Sequence, residues 1–185
     1  MVLVDANQER NYIDCAFPWP AFFALTKGLS YFAVRGIDKF HKLTADEWTA
    51  LLEEKMTDPS TPDGEIEYSQ SSADALGKKH QLALHSLGSA HLSVVKGNGE
   101  KELRRVSEAS ISNGNSTNEE RAEVRNVLIR FDEIKDRLQC EQMQLSSNSR
   151  YVYARSSGHN VQLTQPDIIA AEVKWVLDSI ENSLT

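Results

Sequence analysis

The protein has 185 residues, 40% of them hydrophobic, which is enough for one domain of ordinary size with a real core. Its formal net charge is −7 and its Lys and Arg residues are scattered, which argues against nucleic-acid partners and against an anionic-membrane surface. No apolar run approaches the roughly 18 residues of a membrane span, so we expect a soluble, cytoplasmic protein.

The chain opens with a strand signal that an aromatic segment follows. The run MVLVDA (1–6) is apolar and ends in an acid, which is typical of a buried strand that stops at Asp5. Residues 16–40 are apolar and rich in aromatic side chains, and two prolines near their start predict a partly exposed helix of lid type.

Further helices are predicted between residues 44 and 87. A capping-box spacing begins at Thr44 and precedes apolar residues on one helical face. The sequence TDPSTPDG (57–64) interrupts this pattern with two prolines and a glycine, and a weaker helix is predicted over about 71–87. Together with the aromatic segment, these elements predict a helical lid region over 16–87.

The second half of the chain alternates strands and helices. Residues 90–100 predict a short strand that runs into a glycine-rich turn, and residues 107–118 predict a polar loop. A capping box at Thr117 starts a long amphipathic helix. The run RYVYA (150–154) predicts the last strand, and Pro166 opens the last helix.

Three strands separated by helical stretches predict an α/β fold with a parallel sheet, in which ligands bind at the carboxyl ends of the strands. The loops after the three strands carry Asp5, Glu100 and His159, and we expect these side chains to share one edge of the sheet. An imidazole that takes a proton and a carboxylate that holds its tautomer are the groups that activate a nucleophile. His159 is therefore the candidate base, and either Glu100 or Asp5 its orienting acid.

Several motifs resemble the C-terminal half of an α/β-hydrolase-fold protein. In SSNSRYVYARSSGHNVQLTQPDIIAAEVKWVL, a strand precedes a Ser-Gly-His loop and a Gln-Pro step precedes the last helix. MVLVDANQE resembles the strand that follows the nucleophile helix, the aromatic stretch resembles a lid, and HLSVVKGNGE is similar to the strand that delivers the acid. The resemblance covers 1–185 and implies the last three parallel strands of the fold, with 90–185 carrying the acid and histidine loops.

The family's G-x-S-x-G nucleophile elbow does not occur in this sequence. The resemblance therefore implies a truncated hydrolase of ester, thioester or related acyl bonds, which lacks about five earlier strands. Losing the serine or the histidine of a catalytic triad costs on the order of 10⁶ in turnover, so we expect the chain to be inactive alone. The unpaired edge of its first strand predicts self-association.

Plainer interpretations stand beside these. Alternatively, His159 is an ordinary loop residue, Glu100 a solvated turn acid and Asp5 a strand cap, in which case the chain is a non-catalytic remnant or a binding protein. The two cysteines are far apart and form no Cys-x-x-Cys, so we expect no disulfide framework, metal site or cofactor.

The aromatic residues of the lid either pack together or line a pocket for a hydrophobic small molecule; they are Phe17, Trp19, Phe22, Phe23, Tyr31 and Phe32. The remaining histidines are predicted to be structural or surface residues; they are His41, His80, His85 and His91.

Overall fold

A parallel three-stranded sheet organises the fold. The computed structural model describes residues 1–15, 17–57 and 61–183. Its strands are β1 (Val2–Val4), β2 (Leu92–Gly97) and β3 (Ser149–Ala154), in the order β1-β2-β3. Leu3 lies opposite Val94, and Val95 lies opposite Val152. The predicted α/β architecture with three parallel strands flanked by helices is confirmed.

Helices fill the connections between the strands and follow the last strand. They are α1 (Asn11–Asp14), α2 (Trp19–Thr26), α3 (Tyr31–Arg35), α4 (Ile37–Phe40), α5 (Ala45–Thr57), α6 (Thr61–Lys78), α7 (Gly99–Ser112), α8 (Asn118–Gln142), α9 (Val161–Thr164) and α10 (Pro166–Ser183). A 3₁₀ turn at Met143–Leu145 follows α8. Within the described ranges, no helix has both the length and the apolar character needed to cross a membrane.

The two capping boxes read from the sequence start helices as predicted. The Thr117 hydroxyl accepts a hydrogen bond from the backbone N–H of Glu120 at 3.2 Å, and the Glu120 carboxylate accepts one from the Thr117 N–H at 2.7 Å. Thr44 and Glu47 make the same reciprocal pair at the start of α5. These local bonds satisfy N–H groups that a helix start leaves unpaired.

The central strand β2 is buried along its whole length, because helices cover both faces of the sheet. Alternate side chains of a strand point to opposite faces. Ser93 points to α10 and donates to Glu172 at 2.6 Å, whereas Lys96 points to α8 and donates to Asp132 at 2.5 Å. On the α8 side, α2 and α7 complete a hydrophobic core that includes a fully buried leucine, Leu25.

The aromatic segment is three short helices rather than the single helix predicted over 16–40. Gly28 and Gly36 have φ values of 72° and 73°, in the left-handed region where glycine is favoured, and they separate α2, α3 and α4. The weaker helix predicted over 71–87 is displaced as well. It is α6, which begins at Thr61 and ends at Lys78. Within the predicted break at 57–64, residues 58–60 lie outside the described residues.

The prediction of a polar loop over 107–118 is wrong for the first half of that range. Helix α7 continues to Ser112, because Leu103, Val106 and Ser110 form a buried face that packs toward α2 and α8. Burial of this face outweighs the weak helix propensity of the serine-rich segment 107–112. The loop between α7 and α8 is correspondingly short.

Candidate functional site

Asp5 and His159 meet at the carboxyl ends of the outer two strands. Asp5 directly follows β1, and His159 lies in the loop after β3. The Nδ1 atom of His159 is 2.7 Å from Oδ2 of Asp5. Asp5 is only 6% exposed, whereas the histidine side chain is 57% exposed. A buried carboxylate therefore holds one nitrogen of a ring that remains open to the outside.

The other oxygen of Asp5 is held by the protein interior. Its Oδ1 atom accepts hydrogen bonds from the backbone N–H of Gly97 at 3.1 Å and from the side-chain amide of Gln139 at 2.8 Å. The backbone of Asp5 has φ 42°, a left-handed conformation that is uncommon outside glycine. The position and direction of this carboxylate are thus set by β2, α8 and the end of β1.

The environment makes Asp5 a stronger acid and His159 a stronger base. Burial alone would raise the pKa of Asp5, but hydrogen bonds from His159 and Gln139 and the positive charge of Lys135 outweigh it and lower this pKa to about 2. The hydrogen bond to Asp5 raises the pKa of His159, and the charges of Asp5 and Glu102 add to it against the opposing effects of burial and Lys135. Asp5 therefore remains ionised over the whole range in which the imidazole titrates.

The second candidate acid, Glu100, does not occupy the orienting position. It lies in the first turn of α7 and forms an exposed ion pair with Arg104, one turn further along the same helix. Asp5 instead makes the contact with the imidazole. Of the two acids proposed from the sequence, the geometry brings Asp5 together with His159.

A third acid, Glu102, was missed by the sequence reasoning. It is 5% exposed, its Oε2 atom accepts the backbone N–H of His159 at 2.8 Å, and its other oxygen pairs with Arg35 of α3. The signal was present, because Glu102 shares a helical face with Val106 and Ser110, four and eight residues later. Interpreting KGNGEKE as a turn concealed that face.

The histidine loop is packed tightly on the end of β2. A Cβ atom added to Gly97 would overlap the carbonyl oxygen of Gly158, and one added to Gly158 would overlap Oε2 of Glu102. The backbone N–H of Asn98 donates to the Ser157 carbonyl oxygen at 2.7 Å. Ser157 is buried, and its hydroxyl contacts that of Thr164. Glycines at these two positions allow the loop to approach closely.

A cavity of about 240 Å³ opens beside the Asp5–His159 pair. Its charged lining includes Asp5, His159, Glu102, Arg35, Asp132 and Lys135. Its apolar lining combines residues of α2, α7 and α8 with the segment before α2; they are Phe17, Trp19, Phe22, Leu103 and Phe131. The pair therefore faces a pocket lined by both charged and apolar side chains.

The aromatic residues predicted to line a pocket divide into two groups. Phe17, Trp19 and Phe22 line the cavity and contact one another through their rings. Phe23 stacks on Trp19 and is half exposed, and the α3 rings lie next to other partners. Those partners are Arg35 and Lys55 for Tyr31, and Trp48 and Lys55 for Phe32.

Other reactive side chains near the cavity differ from a hydrolase nucleophile. Cys15 lines the cavity, but burial raises the pKa of its thiol, which disfavours the reactive thiolate. Among residues 1–15, 17–57 and 61–183, no group of three or more His, Cys, Asp and Glu side chains is arranged to hold a metal ion. The remaining histidines include His41, which stacks on Trp48, and His91, which packs against Trp175.

Comparison with known proteins supports an α/β-hydrolase relationship. The chain is 29% identical over 184 residues to an AB hydrolase superfamily protein of Gibberella zeae, and the match covers 96% of this chain and 56% of that protein. It is also 29% identical over 183 residues to the probable transporter efuK of Hormonema carpetanum, covering 97% of this chain and 25% of that protein. The chain thus spans about half or less of the length of these relatives. No protein-family model and no solved structure matches it.

Proposed function

We propose that this chain supplies the acid and histidine of a serine hydrolase that acts on an ester, thioester or related acyl bond. The observation that carries the proposal is the 2.7 Å contact between the buried Asp5 carboxylate and Nδ1 of the exposed His159 ring, beside a cavity. With Nδ1 bound to Asp5, Nε2 is the atom available for proton transfer. In this role Asp5, rather than Glu100, is the orienting acid.

The reaction requires a serine from another segment, either of a longer polypeptide or of a partner chain, since this sequence contains no G-x-S-x-G. His159 Nε2 would take the proton of that hydroxyl as its oxygen attacks the acyl carbon. It would then return the proton to the leaving group, and water would hydrolyse the acyl-enzyme by the same two transfers. Asp5 would stabilise the imidazolium formed at each stage.

The cavity favours a hydrophobic small molecule as the substrate. A volume of about 240 Å³ lies just below the roughly 300–1,000 Å³ of drug-sized ligand pockets, so it suits a small acyl group. The apolar wall would hold that group, with its carbonyl carbon toward His159. The second candidate function, a binding protein that uses this cavity without turnover, is favoured by the missing nucleophile motif.

The edge of β1 that faces away from β2 is where additional strands would pair. An unpaired strand edge presents backbone N–H and C=O groups that another strand can satisfy. We propose that the segment carrying the serine adds its sheet at this edge, and that the isolated chain uses the same edge for self-association.

A chimera tests the hydrolase proposal. This chain would replace the matched segment of the Gibberella zeae relative, and hydrolysis of short p-nitrophenyl esters would be compared with that of the unmodified relative. His159→Asn should lower the rate by at least a thousandfold. His80→Asn is the matched control: His80 has φ 48°, a conformation that asparagine tolerates.

Two outcomes of the chimera experiment would contradict the proposal. A folded chimera with equal rates for the two variants would make His159 an ordinary loop residue. A folded chimera that is inactive and unlabelled by a fluorophosphonate probe, while the relative is active and labelled, would reject the hydrolase role and favour the binding protein.

A further inference from the structure

The histidine loop is held by two carboxylates that act on different parts of His159. Asp5 binds the ring at Nδ1, and Glu102 binds the backbone N–H at 2.8 Å. The two acids come from different elements, the end of β1 and the first turn of α7. Both are nearly buried, at 6% and 5% exposure. A loop residue held at both points has little freedom to swing its ring out of the site.

From this arrangement we propose that Glu102 is a positioning residue, which fixes the backbone of His159 so that Asp5 can fix its ring. The inference rests on the proposed hydrolase function for its catalytic meaning. A carboxylate is a stronger acceptor than a neutral amide, and a bond to a main-chain N–H restrains the loop without blocking the imidazole. Contact between Gly158 and Glu102 removes the space into which the loop could shift.

Arg35 extends this arrangement to α3. Its guanidinium pairs with Glu102, lies 4.2 Å from the centre of the Tyr31 ring and lines the cavity. The Tyr31 hydroxyl also accepts a hydrogen bond from the side chain of Asn160 at 3.4 Å, next to His159 in the chain. Helix α3 therefore contacts the histidine loop directly through Tyr31 and indirectly through the Arg35–Glu102 pair.

Charged groups from several elements face His159. Asp5 follows β1, Glu102 lies on α7 and Lys135 lies on α8, while Arg35 of α3 reaches the histidine through Glu102. The negative charge of Glu102 raises the pKa of His159, whereas Lys135 lowers it. A change that removes the charge of Glu102 but keeps its shape should thus lower the histidine pKa.

The test compares two glutamates that lie two residues apart on one helix. In the isotopically labelled 185-residue chain, the His159 ring signal is assigned as the one lost in His159→Asn, and its pH titration is followed by NMR. Glu102→Gln should lower the His159 pKa relative to the unmodified chain. Glu100→Gln, which removes an exposed charge paired with Arg104, should leave it unchanged.

A second measurement reports the backbone contact directly. Glu102→Ala deletes the acceptor of the His159 N–H, so hydrogen exchange of that amide should become roughly tenfold to a hundredfold faster, as expected for losing a bond to a charged group. Glu100→Ala is its control. If the alanine variant at position 102 fails to fold, the exchange rate is measured in Glu102→Gln, where the neutral acceptor gives a smaller increase.

The proposal is overturned if the position-102 variants match the position-100 variants in both histidine pKa and amide exchange. These readouts need no enzymatic turnover. An inactive chimera with the expected NMR changes would therefore reject the hydrolase function alone. An active, His159-dependent chimera without those changes would reject the positioning role alone.

Discussion

Replacing Asp5 with asparagine should destabilise the protein in a pH-dependent way. The pKa of Asp5 is lowered from an ordinary 3.8 to about 2, despite burial, by its hydrogen bonds and by Lys135. At about 1.4 kcal/mol for each tenfold change in acidity, this lowering corresponds to roughly 2 kcal/mol of folding free energy. Asparagine is the appropriate replacement, because it tolerates the φ of 42° at this position and keeps a similar shape.

The sign of the pH dependence follows from the direction of the pKa change. A carboxyl group that is more acidic in the folded state stabilises that state once the pH exceeds the unfolded value of 3.8, and the contribution is lost as the pH falls toward about 2. Asp5→Asn should therefore lower the free energy of unfolding by roughly 2 kcal/mol at pH 6. The difference from the unmodified protein should shrink at pH 3.

Urea denaturation followed by far-UV circular dichroism measures this difference. Asp178→Asn is the control, because Asp178 is a half-exposed acid paired with Lys174 on α10 and should change stability by less than about 0.5 kcal/mol. An Asp5→Asn protein as stable as the control at pH 6 would refute the reasoning. So would a difference that stays constant between pH 6 and pH 3.

Two further predictions concern packing and charge beneath the site. Gly97→Ala should lower the free energy of unfolding by about 1–3 kcal/mol, because the added Cβ would overlap the Gly158 carbonyl oxygen. Gly77→Ala is the control and should not be destabilising, because its Cβ would lie 3.6 Å from its nearest neighbour. Equal melting temperatures for the two variants would contradict this packing. Asp132→Ala should destabilise the protein more than Lys96→Met does. Removing Asp132 leaves the buried ammonium of Lys96 unpaired, whereas methionine replaces that ammonium with an apolar side chain of similar length. The reverse order in urea titrations would show that the ion pair is not needed to keep Lys96 buried.

The sheet was predictable because its signals are local and agree with one another. Continuous apolar runs are expected of strands covered on both faces, and β2 is such a strand. Thr117 started a helix as predicted, since a capping box uses residues only three positions apart. Placing Asp5 and His159 at one sheet edge required only that the strands be parallel.

The identity of the acids around His159 was harder to predict, because it depends on where a helix begins. With α7 starting at Gly99, burial of Val106 and Ser110 turns Glu102 inward and leaves Glu100 partly exposed. That rotation is set by packing against α2 and α8, and the spacing of Glu102, Val106 and Ser110 indicates it only once the helix is known to begin at Gly99. The ion pair with Arg35, 67 residues away in the chain, depends on the same tertiary contacts.

The direction of the second oxygen of Asp5 distinguishes a candidate site from a simple strand cap. A cap needs only the bond from Gly97, which uses Oδ1. Oδ2 instead binds the ring of His159, which is 57% exposed. Because water could hydrate that ring in the absence of the bond, the bond adds less stability than a hydrogen bond in the protein interior. We therefore expect His159→Asn to change the free energy of unfolding at pH 6 by less than Asp5→Asn, because water can replace the ring beside Oδ2. Urea titrations of the two variants check this, and an equal or larger loss for His159→Asn would mean that the contact serves the fold more than proton transfer.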